Sequence, residues 1–176
     1  MRKTQHGFTL AELLAAMAVV AILVGIAIPT FRQFSASTRA TAATNSLVTA
    51  LATARMEALR RSTPVSVCAS TNSQTCAASS TWSTGWIVFT DGSGTTGQVD
   101  GADAVLQAWD APGLTMTVNS STKYIRYDAR GMVWVTPDYT FPVTFNTWSA
   151  GCKGTNQTQV SVTVGGSPQS TRIACP

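Results

Sequence analysis

The run Gly7-Phe8-Thr9-Leu10-Ala11-Glu12-Leu13-Leu14, with its continuation to Phe31, decides how this chain is built. Residues 8–31 carry 19 apolar side chains in 24 positions, and the nineteen residues from Leu13 to Phe31 hold no charge. At 1.5 Å per residue such a helix covers about 28 Å, close to the roughly 30 Å of bilayer hydrocarbon. A core helix of a soluble domain rarely runs so far without a charge on one face. Residues 8–31 therefore read as a membrane-spanning helix. Glu12 stands out within it, because an ionised carboxylate at bilayer depth costs roughly 2.5–3.5 kcal/mol and needs a partner or a function. Its place near a helix N-terminus lowers that cost. Gly25 and Pro29 lie in the second half, where a missing backbone donor predicts a kink or a loosening of the helix.

Beyond the apolar run, Ala36, Ala40, Ala43, Leu47, Leu51, Ala54 and Ala58 recur at helical spacing. They form one stripe, small enough to pack against a domain of the same chain. Ser62-Thr63-Pro64 should end the helix, since the residue before a proline leaves the α region. A helix from Phe8 to Arg61 would be about 80 Å long. From Pro64 the texture becomes short β-type runs separated by Gly, Pro, Asn, Asp and Ser. Strands are expected near Val65–Ala69, Gly85–Thr90, Ala104–Trp109, Leu114–Val118, Tyr124–Asp128, Met132–Val135, Val143–Asn146, Gln159–Val164 and Thr171–Cys175, with a hairpin turn at Asp128-Ala129-Arg130-Gly131. The predicted class is α+β, a long N-terminal helix packed on a β-rich C-terminal head. Trp86, Trp109 and Trp134 fall inside strands and read as core. Trp82 and Trp148, flanked by Ser and Thr, read as surface.

Composition limits the chemistry. The chain is 44% hydrophobic and 11% charged, against roughly a quarter charged in average domains. Ser and Thr make up 44 of the 176 residues and supply most of the polarity. His6 is the one histidine, so neither a Ser–His–Asp triad nor a Cys–His dyad can be assembled in the head. No catalytic residue and no cofactor are expected. The head acids Asp91, Asp100, Asp103, Asp110, Asp128 and Asp138 include no pair singled out for glycoside hydrolysis. Asp91-Gly92-Ser93-Gly94 with Asp100 and Asp103 lacks the ligand spacing and closing Glu of a calcium loop, and a solvated turn is the reading adopted.

Cys68, Cys76, Cys152 and Cys175 all come after the span, and four cysteines allow three pairings. The favoured one joins Cys68 to Cys76, closing a small polar loop, and Cys152 to Cys175, pinning the C-terminus. Zinc is the rival reading, but there is no Cys-x-x-Cys pair and no histidine near. Disulfides place the head in an oxidising compartment. Basic residues flank the span on both sides, Arg2 and Lys3 before it and Arg32 and Arg39 after it, so charge alone does not orient it.

The short basic leader Met1-Arg2-Lys3-Thr4-Gln5-His6-Gly7, with Phe8 and then Glu12 after it, resembles the processing site of type IV pilins and pseudopilins. The resemblance implies that a prepilin peptidase cuts between Gly7 and Phe8 and methylates the new amino terminus of Phe8. Glu12 then becomes the fifth mature residue, and its implied partner is the free amine of a neighbouring subunit. Loss of Arg2 and Lys3 would take the net charge from +4 to +2. The implied organisation is a leader over 1–7, a transmembrane and filament-core helix over 8–31, an amphipathic half-helix over 32–63 and a periplasmic head over 64–176.

Gly85-Trp86-Ile87-Val88-Phe89-Thr90-Asp91-Gly92, Ile125-Arg126-Tyr127-Asp128-Ala129-Arg130-Gly131 and the final cysteine pair resemble the GspH/FimT family of minor pilins and H-type pseudopilins. This second resemblance implies a non-enzymatic filament subunit in the bacterial inner membrane, acting in a type IV pilus or a type II secretion pseudopilus. Its partners would be other pilins or pseudopilins, the prepilin peptidase and the inner membrane. The alternative is a DNA-binding minor pilin for natural transformation, because some members bind DNA through a Gly-Arg-x-Arg motif in the last hairpin. Here only Arg172 corresponds, with Lys123, Arg126 and Lys153 as further candidate DNA contacts.

Overall fold

The computed structural model describes residues 9–113, 116–135 and 140–176, without the side chains of residues 29, 30, 32 and 33. One helix, α1 (Leu10–Arg61), opens the fold. The chain divides into two compact units, Met1–Ser35 and Ala36–Pro176, and the division falls inside α1.

In the first unit, Leu10–Ile28 has a mean hydropathy of 2.6 and is long and apolar enough to cross a membrane. Its side chains, including Leu13, Met17, Ile22 and Ile26, are covered by nothing of their own unit. Such a surface requires lipid or other apolar helices around it. The helix assignment is continuous through Gly25 and Pro29.

In the second unit, α1 buries Ala40, Ala43, Leu47, Ala50, Leu51, Ala54 and Ala58. Ser62 takes a left-handed conformation (φ 53°) and ends the helix two residues before Pro64. Beyond it the chain forms two antiparallel sheets. The first is built from β1 (Val65–Ala69), β2 (Gly85–Thr90), β3 (Val105–Asp110) and β5 (Tyr124–Tyr127), in the order β3-β2-β1-β5. The second is built from β4 (Met116–Ser120), β6 (Val143–Ser149), β7 (Gln157–Val162) and β8 (Pro168–Ile173), in the order β4-β6-β7-β8.

β1 is buried along its whole length, and β2 along all but Thr90. One set of their side chains (Val65, Val67, Trp86, Val88) joins Leu47, Leu51, Phe145 and Val160 in the main core. The other set (Cys68, Ile87, Phe89) lies in a second cluster with Cys76, Val99 and Tyr124 against it. The Cys68–Cys76 disulfide, with Cα atoms 5.6 Å apart, therefore belongs to the covering of the second face. β6 alternates buried and half-buried residues at period two, as a strand with one face inside should.

Two of the expected strands differ from the structure in kind or place. Met132–Val135 is not a strand. Val133 makes an isolated bridge to Tyr127, its N–H donating to the Val164 carbonyl at 2.9 Å while Trp134 N–H donates to the Arg126 carbonyl at 2.8 Å. The backbone is shared between β5 and the turn after β7, so no continuous ladder forms. The last strand is Pro168–Ile173 rather than Thr171–Cys175, because the Cys152–Cys175 disulfide and a bond from Cys175 N–H to the Gly154 carbonyl (2.9 Å) hold the final residues to the loop after β6. Of the expected Leu114–Val118, Leu114 lies outside the described residues.

Two tryptophans exchange places. Trp82 is fully buried, packed edge-on against Phe145 with centroids 4.9 Å apart. Its backbone N–H donates to the Val118 carbonyl at 2.7 Å, which lays this Ser/Thr-flanked segment against β4 and turns the indole inward. Trp134 is 47% exposed.

Candidate functional site

The first candidate region is the start of α1. Gly7 and Phe8 lie outside the described residues. Thr9 and Glu12 form a reciprocal capping box. The Thr9 N–H and Oγ1 each donate to Glu12 Oε2 at 3.0 Å, and Glu12 N–H donates to Thr9 Oγ1 at 3.3 Å. Thr-x-x-Glu has the spacing that lets a side-chain oxygen satisfy the first free helical N–H while the carboxylate reaches back. The carboxylate is thereby held at the mouth of the helix, on an exposed surface. Its charge lies where the helix dipole favours an anion and where a cation from another molecule can reach it.

The second region is the acidic loop 91–103. Asp91 is 1% exposed. Its Oδ2 accepts from Ser66 Oγ at 2.5 Å and from Gly97 N–H at 3.0 Å, and Arg126 Nε lies 3.3 Å away. Burial raises its pKa above the ordinary range, against the pull of these partners. Asp103 Oδ1 accepts from the N–H of Gly92 and Ser93 and from Ser93 Oγ, and Asp100 Oδ2 accepts from Thr95 N–H at 2.8 Å. The carboxylates thus tie the loop to its own backbone. Among the described residues no three His, Cys, Asp or Glu side chains gather as a metal site.

The basic candidates do not converge. Arg126 is clamped. Its Nη2 donates to the Asp91 carbonyl at 2.7 Å, its guanidinium lies 5.1 Å from the Trp134 ring centroid, and 14% of its side chain is exposed. A guanidinium spent on a buried carboxylate and an indole face has little left for a phosphate, and Arg126 leaves the set of candidate DNA contacts. Lys123, Lys153 and Arg172 are exposed. Lys123 comes after β4, whose last residue Ser120 pairs with Phe145 near the start of β6, whereas Lys153 comes after the end of β6. At about 3.4 Å per residue the length of β6 separates these two ends by roughly 20 Å. Arg172 pairs with Thr158 at the Lys153 end and borders a groove of about 250 Å³ lined by hydroxyls of α1, β7 and β8.

Two further arginines fix turns of the head. Arg55 Nε donates to the Gly131 carbonyl at 3.0 Å and its Nη1 to Ser167 Oγ at 2.8 Å, so one α1 side chain fastens two turns. Its signal in the sequence is an Arg beside the small-residue stripe, next to Ala54. Arg130 pairs with Asp128, whose Oδ1 also accepts the N–H of Arg130 and Met132. Burial works against that carboxylate, but the Arg130 and backbone bonds outweigh it and hold its pKa below the usual value. A depressed native pKa means stability present above the unfolded value of about 3.9 and lost as pH falls through the native one. Asp128→Asn should therefore cost about 1 kcal/mol at pH 7. Thermal unfolding should show the gap to wild type closing on acidification, and a gap independent of pH would mean that the carboxylate's charge contributes nothing.

The family described as "Type II transport protein GspH" matches residues 43–167, which takes in the small-residue stripe from Ala43 onward and every strand from β1 to β7. The chain belongs to the GspH family. The "Prokaryotic N-terminal methylation motif" matches residues 2–28, over the capping box and the apolar segment to Ile28. Two crystal structures of the type IV minor pilin FimU from Pseudomonas aeruginosa share the fold. One has a TM-score of 0.54 at 21% identity, covering 77% of this chain and 99% of that one. The other has a TM-score of 0.52 at 20% identity, covering 84% and 93%. No curated protein matches the chain. The α+β pilin-like fold and the resemblance to GspH/FimT-type pilins read from the sequence are thus upheld.

Proposed function

We propose that this GspH-family chain is a structural, non-enzymatic subunit of a type IV filament, a minor pilin or H-type pseudopilin acting in assembly or at the tip. The observation that carries the reading is the joining, in one chain, of the methylation motif and the GspH head by a single helix. The motif and the apolar helix fit a single-pass inner-membrane anchor. In this reading the prepilin peptidase cuts after Gly7 and methylates Phe8, the disulfide-bonded head stands in the periplasm, and Glu12 pairs with a neighbouring subunit's amine. The apolar helix, uncovered by its own unit, then packs among other pilin helices.

The test is recovery of the chain, by immunodetection, in filaments sheared from cells that assemble them. Its presence there supports the reading, and its restriction to the membrane of piliated or secreting cells contradicts it. DNA binding remains the second reading and rests on Arg172 and Lys153. Two phosphate contacts release few counterions, so that reading requires weak binding with a salt slope of about 2.

A further inference from the structure

The two sheets have four edge strands, β3, β5, β4 and β8. Three of these edges are covered or guarded. β5 is bridged at Tyr127 by Val133, and its Arg126 carbonyl accepts from Trp134 N–H. Along β4, Thr81 bridges Asn119, Trp82 N–H donates to the Val118 carbonyl and Ser120 N–H donates to the Ser80 carbonyl. β8 opens with Pro168 and carries Arg172, two features that discourage a further strand. β3 is different. Among the described residues, only β2 bonds the backbone of Val105–Asp110. Its second half, Gln107–Asp110, is regular beyond the bulge between Val88 and Phe89 and holds neither Pro nor Lys.

The ladder shows which groups face outward. Ser70 N–H donates to the Gly85 carbonyl on the β1 side of β2, and Thr90 N–H donates to the Ala104 carbonyl on its β3 side. Backbone groups along an antiparallel strand alternate between its two neighbours. Trp86 and Val88 therefore bond their partners Trp109 and Gln107, which turns the N–H and C=O of Ala108 and Asp110 to the free edge. These two residues stand about 7 Å apart along the strand, and Ala108 and Asp110 are both exposed. At its Asp110 end the edge leads into a groove of about 320 Å³ lined by Trp86, Trp109 and Pro112, with Arg39 and Ser46 contributed by α1.

We propose that β3 takes an extended segment of a different subunit as the fifth strand of its sheet, with an apolar side chain of that segment in the Trp86–Trp109 groove. Donors and acceptors aligned at strand spacing are what another backbone matches, and a pocket beside the edge selects the side chain that comes with it. A second copy fits poorly. Antiparallel pairing of β3 with itself places a two-fold axis through the sheet and reverses α1, which packs on the face of that sheet through Leu47 and Leu51. The two Ala36 ends, from which both chains must reach one membrane, would then point in opposite directions. The proposal rests on the filament reading, which brings another subunit alongside, and deepens it by assigning the contact.

The test uses the full chain with a photoreactive benzophenone side chain at Gln107, in cells assembling the filament. Irradiation should join Gln107 to one other subunit, and exposed Gln74 in the Cys68–Cys76 loop should give no such adduct. Adding Ala108→Pro removes an outward N–H while the bonds to β2 through Gln107 and Trp109 remain. The yield should fall at least about tenfold, as for one lost backbone bond and the obstruction by the ring. Ala108→Val keeps the N–H and should keep the yield. Amide exchange gives a measurement without substitution: peptides covering Val105–Asp110 should exchange fast in the solubilised chain and slowly in the filament. An adduct with a second copy, equal yield from Gln74, indifference to Ala108→Pro in a folded head, or unchanged exchange on assembly would overturn the proposal. Filament content is read separately. A chain that enters filaments without the Gln107 adduct overturns strand addition alone, and a chain absent from them overturns both readings.

Discussion

Glu12→Ala is expected to remain in the membrane fraction and to disappear from sheared filaments. The apolar span is unchanged by the substitution, and losing a carboxylate makes insertion easier. What is lost is the one acidic side chain between residues 8 and 31. On the proposed pairing, a neighbour's amine is left without its counter-ion in a low-dielectric helix bundle, at a cost of about 3–5 kcal/mol. Incorporation should therefore fall more than about a hundredfold. Glu12→Gln separates two roles of the carboxylate, because its amide oxygen can still accept the Thr9 bonds while the charge is gone. That variant should fail as Glu12→Ala does. Normal incorporation of Glu12→Gln would mean that the capping box, and not the charge, is what assembly requires.

Trp82→Ala should be the most damaging single truncation in the head. The side chain is fully buried against Phe145, and its Nε1 donates to the Thr122 carbonyl at 3.4 Å. Removing it leaves a cavity in the main core beside Phe145, worth about 3–5 kcal/mol. For a chain of this length the melting temperature of the detergent-solubilised protein should drop by roughly 10 °C. Trp134→Ala forfeits only an exposed stacking contact with Arg126 and should cost less than about 1 kcal/mol. Reversed effects, with Trp134 the costly position, would mean that the two indoles are placed the other way round.

These two tryptophans also mark how far the sequence could be read. The long helix was legible because its signals are local: an uncharged run, a stripe of small residues and a proline stop. Strands β1 and β2 were legible as continuous apolar runs bounded by turn residues. Trp82 was not, because its neighbours are Ser and Thr and its burial depends on Val118, far along the chain. Met132–Val135 has the apolar content of a strand, and only the competing pull of Arg126 and Val164 on its backbone prevents one. Candidate site residues divided along the same line. Thr9 and Glu12 interact at a spacing of three residues and could be paired from sequence. The fate of Arg126 depends on Asp91, 35 residues away, and its capture by a buried carboxylate has no local signature.

Membership of a filament is tested most directly at the amino terminus of the assembled protein. Intact mass and N-terminal sequencing of the chain from sheared filaments should show a polypeptide beginning at N-methylated Phe8. A chain in that fraction still carrying Met1–Gly7, or one beginning at any residue after Phe8, would contradict the proposed processing and the assembly built on it.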